Sequence, residues 1–379
     1  MEFNWSKIDL DFRADLSDFL DIELEENWLD PARILGSQAN AEYSKKFAGL
    51  LAQRGWLTPH WPKEHSGQNT GPWQLAILGE EMWSRGEPRG PQYMNVNWIG
   101  PSIMIHGNEE QIARFLPPIR EGNVIWCQGF SEPDAGTDLS SLRTGAEIDG
   151  DEYIVNGSKI WTSYADIADY CFLLVRTGTT KGNRGISILL VDMNSPGIEV
   201  RKIRGIVGEH SFNEIFFSNV RVPIANRLGD EDEGWTVVRE ALVYERVGAP
   251  RWARARFILE EAMQWAIKNN RANDPIILEY VGNAQSACEA ARMLCYRVFD
   301  ERAKNLPPSS HANLARVAMI QAERLVAEAC IQLQQSQAFC YTSLANQQMR
   351  KSMAAGVAAG TYEVQLNLIS SLFLKLPKG

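Results

Sequence analysis

The stretch Cys127-Gln128-Gly129-Phe130-Ser131-Glu132-Pro133-Asp134-Ala135-Gly136-Thr137-Asp138 decides how the rest of the chain is read. An apolar, strand-like lead-in runs into a loop rich in turn residues, and the loop carries two hydroxyls, Ser131 and Thr137. Such a loop offers hydroxyl and backbone N–H donors to a bound group. Downstream, Val155-Asn156-Gly157-Ser158-Lys159-Ile160-Trp161-Thr162-Ser163 sets a further hydroxyl, Ser163, two residues beyond a tryptophan.

Working outward, Tyr170 to Val175, Gly185 to Val191 and Asn213 to Phe217 are short apolar runs bounded by turn residues, and they read as strands. From Phe12 to about Glu121 apolar residues recur instead at helical spacing, as in Ala41 to Leu51. The Pro/Gly-punctuated run Thr58 to Gln68 interrupts them as a loop. After Gly234-Trp235 long helical patterns return, and Ala284 to Glu301 and Ala312 to Leu344 contain no proline or glycine. The order is helices, a β unit, then a helical bundle. At 379 residues the chain exceeds one typical core, in keeping with several packed units.

A formal charge of -9 argues against a nucleic-acid binder, which needs a basic face. No apolar run reaches the length of a membrane span, and Met1 to Leu10 lacks the profile of a signal peptide, so the expected location is cytoplasmic, without membrane insertion. The six cysteines show no Cys-x-x-Cys pairing and read mostly as buried free thiols. The five histidines have no metal-ligand spacing, so no metal is expected. Gly205-Ile206-Val207-Gly208 is a turn and not a dinucleotide fingerprint, since it lacks the spacing and the strand-to-helix context.

The two segments first quoted resemble the flavin-binding segments of acyl-CoA dehydrogenases, and Trp61-Pro62 to Gly67 resembles another loop of that family, with Ser66 in place of a glycine. The resemblance implies an α+β fold: an N-terminal helical domain (1–121), a central β-barrel or sandwich (122–230) and a C-terminal four-helix bundle (231–379). It implies FAD as cofactor, an acyl-CoA thioester as substrate and an electron-transfer flavoprotein as electron acceptor. Carried over position by position, Gln128, Phe130, Ser131, Thr137, Trp161, Ser163, Gly360 and Thr361 become cofactor-binding residues. Trp98, near Gly100-Pro101, is a candidate wall of the acyl pocket, although core packing is the ordinary role of a tryptophan.

The reaction the family performs removes a proton beside the thioester, and therefore needs a base. Most members take it from a C-terminal Tyr-Glu-Gly-Thr motif, where this chain reads Ala358-Ala359-Gly360-Thr361. A subset of the family places its glutamate on the first helix after the β domain, and here Leu242-Val243-Tyr244-Glu245-Arg246-Val247 matches that pattern. Glu245 is thus the expected base and Arg246 its neighbouring charge. Burial among apolar residues raises a carboxyl's pKa, which suits a proton acceptor. Glu363 is the rival base.

Elements that the family's homotetramers lend to a neighbour's flavin are missing. Arg271-Ala272-Asn273-Asp274-Pro275-Ile276 replaces an Arg-x-x-Phe-Gly segment, Gly282 stands about where a glutamine is expected, and Gln337-Ala338-Phe339-Cys340-Tyr341 lacks a glycine pair. The resemblance is accordingly nearest to the large, base-bearing subunits of heteromeric members such as pimeloyl-CoA dehydrogenase and the steroid side-chain acyl-CoA dehydrogenases. It implies a homologous second subunit in a hetero-oligomer. Two other readings stay open: a non-catalytic, flavin-poor subunit, and an acyl-CoA oxidase or carrier-bound acyl desaturase of the same fold.

Overall fold

The switch of hydrophobic period from 3.6 to 2 marks where helices give way to a sheet. A computed structural model describes residues 5–26, 28, 38–180, 182–206, 212–239, 250–358 and 360–377. By compactness the chain forms two units. One gathers Met1–Arg33, Thr70–Pro88 and Glu245–Gly379, the other Ile34–Asn69 and Arg89–Tyr244.

In the second unit, helix α2 (Gln38–Gln53) precedes a helical run in three pieces, α4 (Gln92–Met94), a π turn (Asn95–Ile99) and α5 (Gly100–His106), followed by α6 (Glu109–Arg120). A π turn holds one residue more than an α turn and leaves backbone groups to be satisfied from outside. Here the Val96 carbonyl accepts from Trp61 Nε1 (2.9 Å) and His60 Nε2 (3.1 Å). Burial lowers the pKa of His60 to about 4, so the ring is neutral and donates through Nε2. In the same loop Ser66 has φ 62°, the left-handed conformation that the glycine it replaces adopts freely.

Among the described residues the sheet holds eight strands: β1 (Trp126–Gly129), β2 (Gly145–Asp149), β3 (Glu152–Ser163), β4 (Tyr170–Arg176), β5 (Ile186–Asp192), β6 (Ile198–Ile203), β7 (Phe212–Pro223) and β8 (Arg227–Leu228). The order in the sheet is β6-β7-β3-β2-β4-β5-β8, with β1 paired to β4. Tyr153, Val155, Cys171, Leu173, Leu189 and Ile215 are fully buried in its core.

The first unit packs α1 (Lys7–Glu23) and α3 (Pro72–Ser84) with α7 (Arg251–Lys268), α8 (Pro275–Ala303), α9 (His311–Gln334), α10 (Leu344–Ala354) and α11 (Tyr362–Leu368). A stripe of small and medium apolar residues, among them Ala284, Cys288, Ala291, Met319, Val326 and Cys330, forms the core. The helix expected over Ala312 to Leu344 breaks at Gln335, where φ is 50°, and a 3-10 turn (Gln335–Phe339) follows. The break falls in the polar run Gln334 to Gln337, and Ser343 restarts the chain by capping Asn346 N–H. Five of the six cysteines are buried as expected, whereas Cys340, just past that turn, is exposed. Among the described residues no helix is long and apolar enough to cross a membrane.

Candidate active site along strand β3

Strand β3 alternates as a half-buried strand should, with Tyr153, Val155 and Lys159 inward. Two bulges interrupt its pairing with β7. Val155 faces Val220 but Gly157 faces Phe217; Lys159 faces Ile215 but Thr162 faces Asn213. The second bulge puts an extra residue into β3, and the parity flips there: Thr162 turns inward and Trp161 outward. Trp161 has φ 60° and is 57% exposed, with its ring edge-on to Phe212 at 6.2 Å. A bulky residue in that conformation costs about 1–3 kcal/mol and persists only where its surroundings impose it. The result is an indole presented outward on a rigid strand.

Beside it runs the segment after β1. Ile160 N–H donates to the Ser131 carbonyl (2.8 Å), which lays Phe130 to Glu132 along β3. Phe130 is only 7% exposed and its ring packs 6.0 Å from Phe172, so what it offers outward is backbone. Gln128 accepts from Trp98 Nε1 (3.0 Å), tying β1 to the π turn. Gly157 lets β3 approach the end of the loop: a Cβ there would stand 2.6 Å from Thr144 Oγ1 and 2.7 Å from Thr144 Cα. Glu132, Pro133, Asp134, Ser141, Arg143, Thr144, Gly157 and Ser158 line an open depression of about 250 Å³.

The sequence-predicted residues thus divide. Gln128, Phe130, Ser131, Trp161 and Ser163 belong to the two adjoining segments, β1 with its following turn and β3; Thr137 lies exposed farther along the loop. Gly360 and Thr361 belong to the other unit. Gly360 has φ 82°, and the Thr361 hydroxyl caps α11 by accepting from Val364 N–H (3.3 Å). Glu363 is exposed in the first turn of that helix. Glu245 and Arg246 lie outside the described residues.

Two charged residues inside the motifs carry more of the site than their sequence positions announced. Glu132, 7% exposed, accepts from Arg143 N–H (2.7 Å), Thr144 N–H (2.8 Å) and Lys159 Nζ (2.8 Å), and Lys159 is wholly buried. Burial pushes Lys159 down to about 8, against the pull of Glu132. Burial would raise the Glu132 carboxyl, but the Lys159 ammonium and the hydrogen bonds outweigh it and hold the group below its ordinary value. The available signal was a lysine in alternation with the inward Tyr153 and Val155 of the same strand.

Residues 9–123, 127–220 and 232–373 match the N-terminal, middle and C-terminal domains of acyl-CoA dehydrogenases. Over 349 residues, 86% of each chain, the protein is 32% identical to acyl-CoA dehydrogenase FadE26 of Mycobacterium tuberculosis. The chain belongs to the acyl-CoA dehydrogenase family. It has the three-domain fold of that family and is a flavin-dependent oxidoreductase with FAD as cofactor. Among solved structures, the Tcur3481-Tcur3483 steroid ACAD superposes with a TM-score of 0.92 at 27% identity, covering 100% of both chains. The ChsE4-ChsE5 complex of Mycobacterium tuberculosis gives 0.88 at 28%, likewise covering 100% of both. The exposed indole, the outward backbone of Phe130–Ser131 and the hydroxyls of Ser131 and Ser163 fit one face of a flat, hydrogen-bonding ring such as the flavin of FAD.

Proposed function

We propose that this acyl-CoA dehydrogenase desaturates an acyl-CoA thioester between its α and β carbons, with Glu245 as the base. The observation that carries this reading is the C-terminal segment. Ala358-Ala359-Gly360-Thr361 offers no carboxylate where the family usually keeps one, and the nearby Glu363 is exposed on the first turn of α11. Glu245, in its family-like Tyr-Glu-Arg context, is the acceptor that remains.

In this reading Glu245 takes the α proton, and Arg246 steadies the charge of the ionised base before transfer. Trp161 supports the ring of the cofactor, while Ser131, Ser163 and the nearby backbone hydrogen-bond its edge; Gln128, held by Trp98, closes the end of β1. Thr137, Gly360 and Thr361 serve the outlying parts of the cofactor or the thioester. Bound FAD supplies the acceptor for the β hydride. The electrons then leave to an electron-transfer flavoprotein.

We further propose that the assembly is hetero-oligomeric. Asp274-Pro275 replaces Phe-Gly, and Asp274 caps α8 while Pro275 opens it, so this stretch is committed to starting a helix. Phe339-Cys340-Tyr341 has side chains where a glycine pair would let backbone approach a phosphate. That solved relatives are two-component complexes supports a homologous second subunit. That one of them, Tcur3481-Tcur3483, is a steroid ACAD favours a bulky, steroid-derived acyl group. Turnover of acyl-CoA by Glu245→Gln tests the base: a rate near wild type sinks the assignment, and loss of turnover in Glu363→Gln instead moves the role there.

A further inference from the structure

Lys159 Nζ donates to the Phe130 carbonyl (3.1 Å) as well as to Glu132. The described residues contain no cis peptide, so the Ser131 N–H points opposite to the Phe130 C=O. Because that carbonyl is turned down onto a buried ammonium, the Ser131 N–H is turned away from it. No acceptor among the described residues takes this N–H. The next peptide is fixed as well: the Ser131 carbonyl accepts from Ile160 N–H, and Glu132 N–H donates to the Ala135 carbonyl (2.8 Å). Glu132 N–H is therefore committed, and Ser131 N–H is left over.

We infer that the buried Lys159–Glu132 pair is a positioning device: it sets the plane of the Phe130–Ser131 peptide so that Ser131 N–H is presented as a preformed donor to the edge of the flavin. This rests on the reading that the Phe130–Ser131 segment touches the cofactor. A pair serving stability alone would need only the Lys159–Glu132 contact, since Glu132 already anchors Arg143 and Thr144. The bond to Phe130 is the part that orients a ligand-facing group. Lys159 lies two residues before Trp161, so one strand supplies both the aromatic support and the setting of the donor.

Charge and donor are separated by two double variants of the full chain, purified with whatever subunit accompanies it. Glu132→Gln with Lys159→Met removes both charges and the donor to Phe130. Glu132→Gln with Lys159→Gln removes both charges and keeps an amide donor. FAD is titrated into each apoprotein by fluorescence, and the melting temperature and visible flavin spectrum are recorded. Both variants should melt alike. The Met variant should bind FAD roughly ten- to hundred-fold more weakly, the worth of a charge-assisted hydrogen bond, with a shifted flavin band. The Gln variant should regain much of the affinity and the band. Equal, wild-type-like affinity and spectrum in both would overturn the inference. If neither folds, hydrogen exchange on the wild type decides: the Ser131 amide should become protected when FAD binds, and unchanged exchange overturns the idea. A wild type that takes up no FAD overturns the loop reading too, whereas FAD uptake with unaffected variants overturns this inference alone.

Discussion

Two backbone stretches, Phe130–Ser163 and Gln335–Tyr341, treat their peptide groups in opposite ways. In the first, consecutive peptides are pinned by Lys159, Ile160 and Ala135, and a tryptophan is held in a costly conformation. In the second, a short 3-10 turn ends in Phe339 and Tyr341, 60% and 49% exposed, where the family's homotetramers present glycine backbone. Strain of the kind seen at Trp161 survives where something selects for it. On the proposed hetero-oligomeric reading, the contrast separates a side of the flavin site that this chain keeps from one that it leaves to another chain.

The hardest blow to that division is delivered through the base. Glu245→Gln should lower turnover roughly hundred- to ten-thousand-fold while FAD content and melting temperature stay put. Steady-state rates with saturating acyl-CoA, beside flavin quantitation, separate this from simple unfolding.

Next in size is the dependence on a partner. The chain purified alone should hold well under one FAD per subunit, and a complex with a homologous subunit about one FAD per pair of chains, since each flavin is then clasped at one unlike interface. A homo-oligomer carrying one FAD per subunit at full activity erases the contrast.

A smaller effect is expected at Trp161. Trp161→Gly relieves the positive φ, so the apoprotein should lose no more than about 1 kcal/mol of stability while FAD binding weakens roughly tenfold. Denaturant melts that show a much larger loss would make Trp161 a packing residue.

The smallest is a pH effect of the buried pair. The Glu132 carboxyl titrates below its ordinary 4.5 in the folded chain, so its stabilisation is intact above that value and is lost as pH falls through the depressed folded pKa. For Lys159 the depressed value is a cost and not a gain. With a folded value near 8 against an ordinary 10.5, the cost of burying its charge is present in full below pH 8 and is relieved as pH rises towards 10.5. Compared with the charge-free double variants, the wild type should lose stability on acidification below about pH 4.5, read from urea midpoints. Parallel curves would mean that the pair is not coupled to folding.

Much of this was legible in the sequence. The change of period gave the order of helices and strands, and the motif residues Ser131, Trp161 and Ser163 fall on adjoining segments of one domain. The outward turn of Trp161 was not legible, because a bulge depends on how β3 pairs with β7, some fifty residues on. Simple alternation would put Trp161 on the same face as Lys159. The Lys159–Glu132 contact was hidden for the same reason: it joins residues 27 apart, and only the fold brings them together. The end of α9 is not legible because no glycine or proline announces it; Gln335 itself takes the positive φ.

The two bulges of the β3–β7 pair have opposite sense. One adds a residue to β7 and the other to β3, so Glu152 still faces Pro223 and Thr162 faces Asn213 in the same frame, and only Gly157 to Lys159 is slipped. They behave like a pair of compensating frameshifts. A one-residue deletion in either strand would not merely straighten a kink; it would put one end of the ladder out of phase with the other. Losses and gains of single residues in these strands are therefore tolerable only in matched pairs, and the outward turn of Trp161 depends on the length of β7 as much as on that of β3.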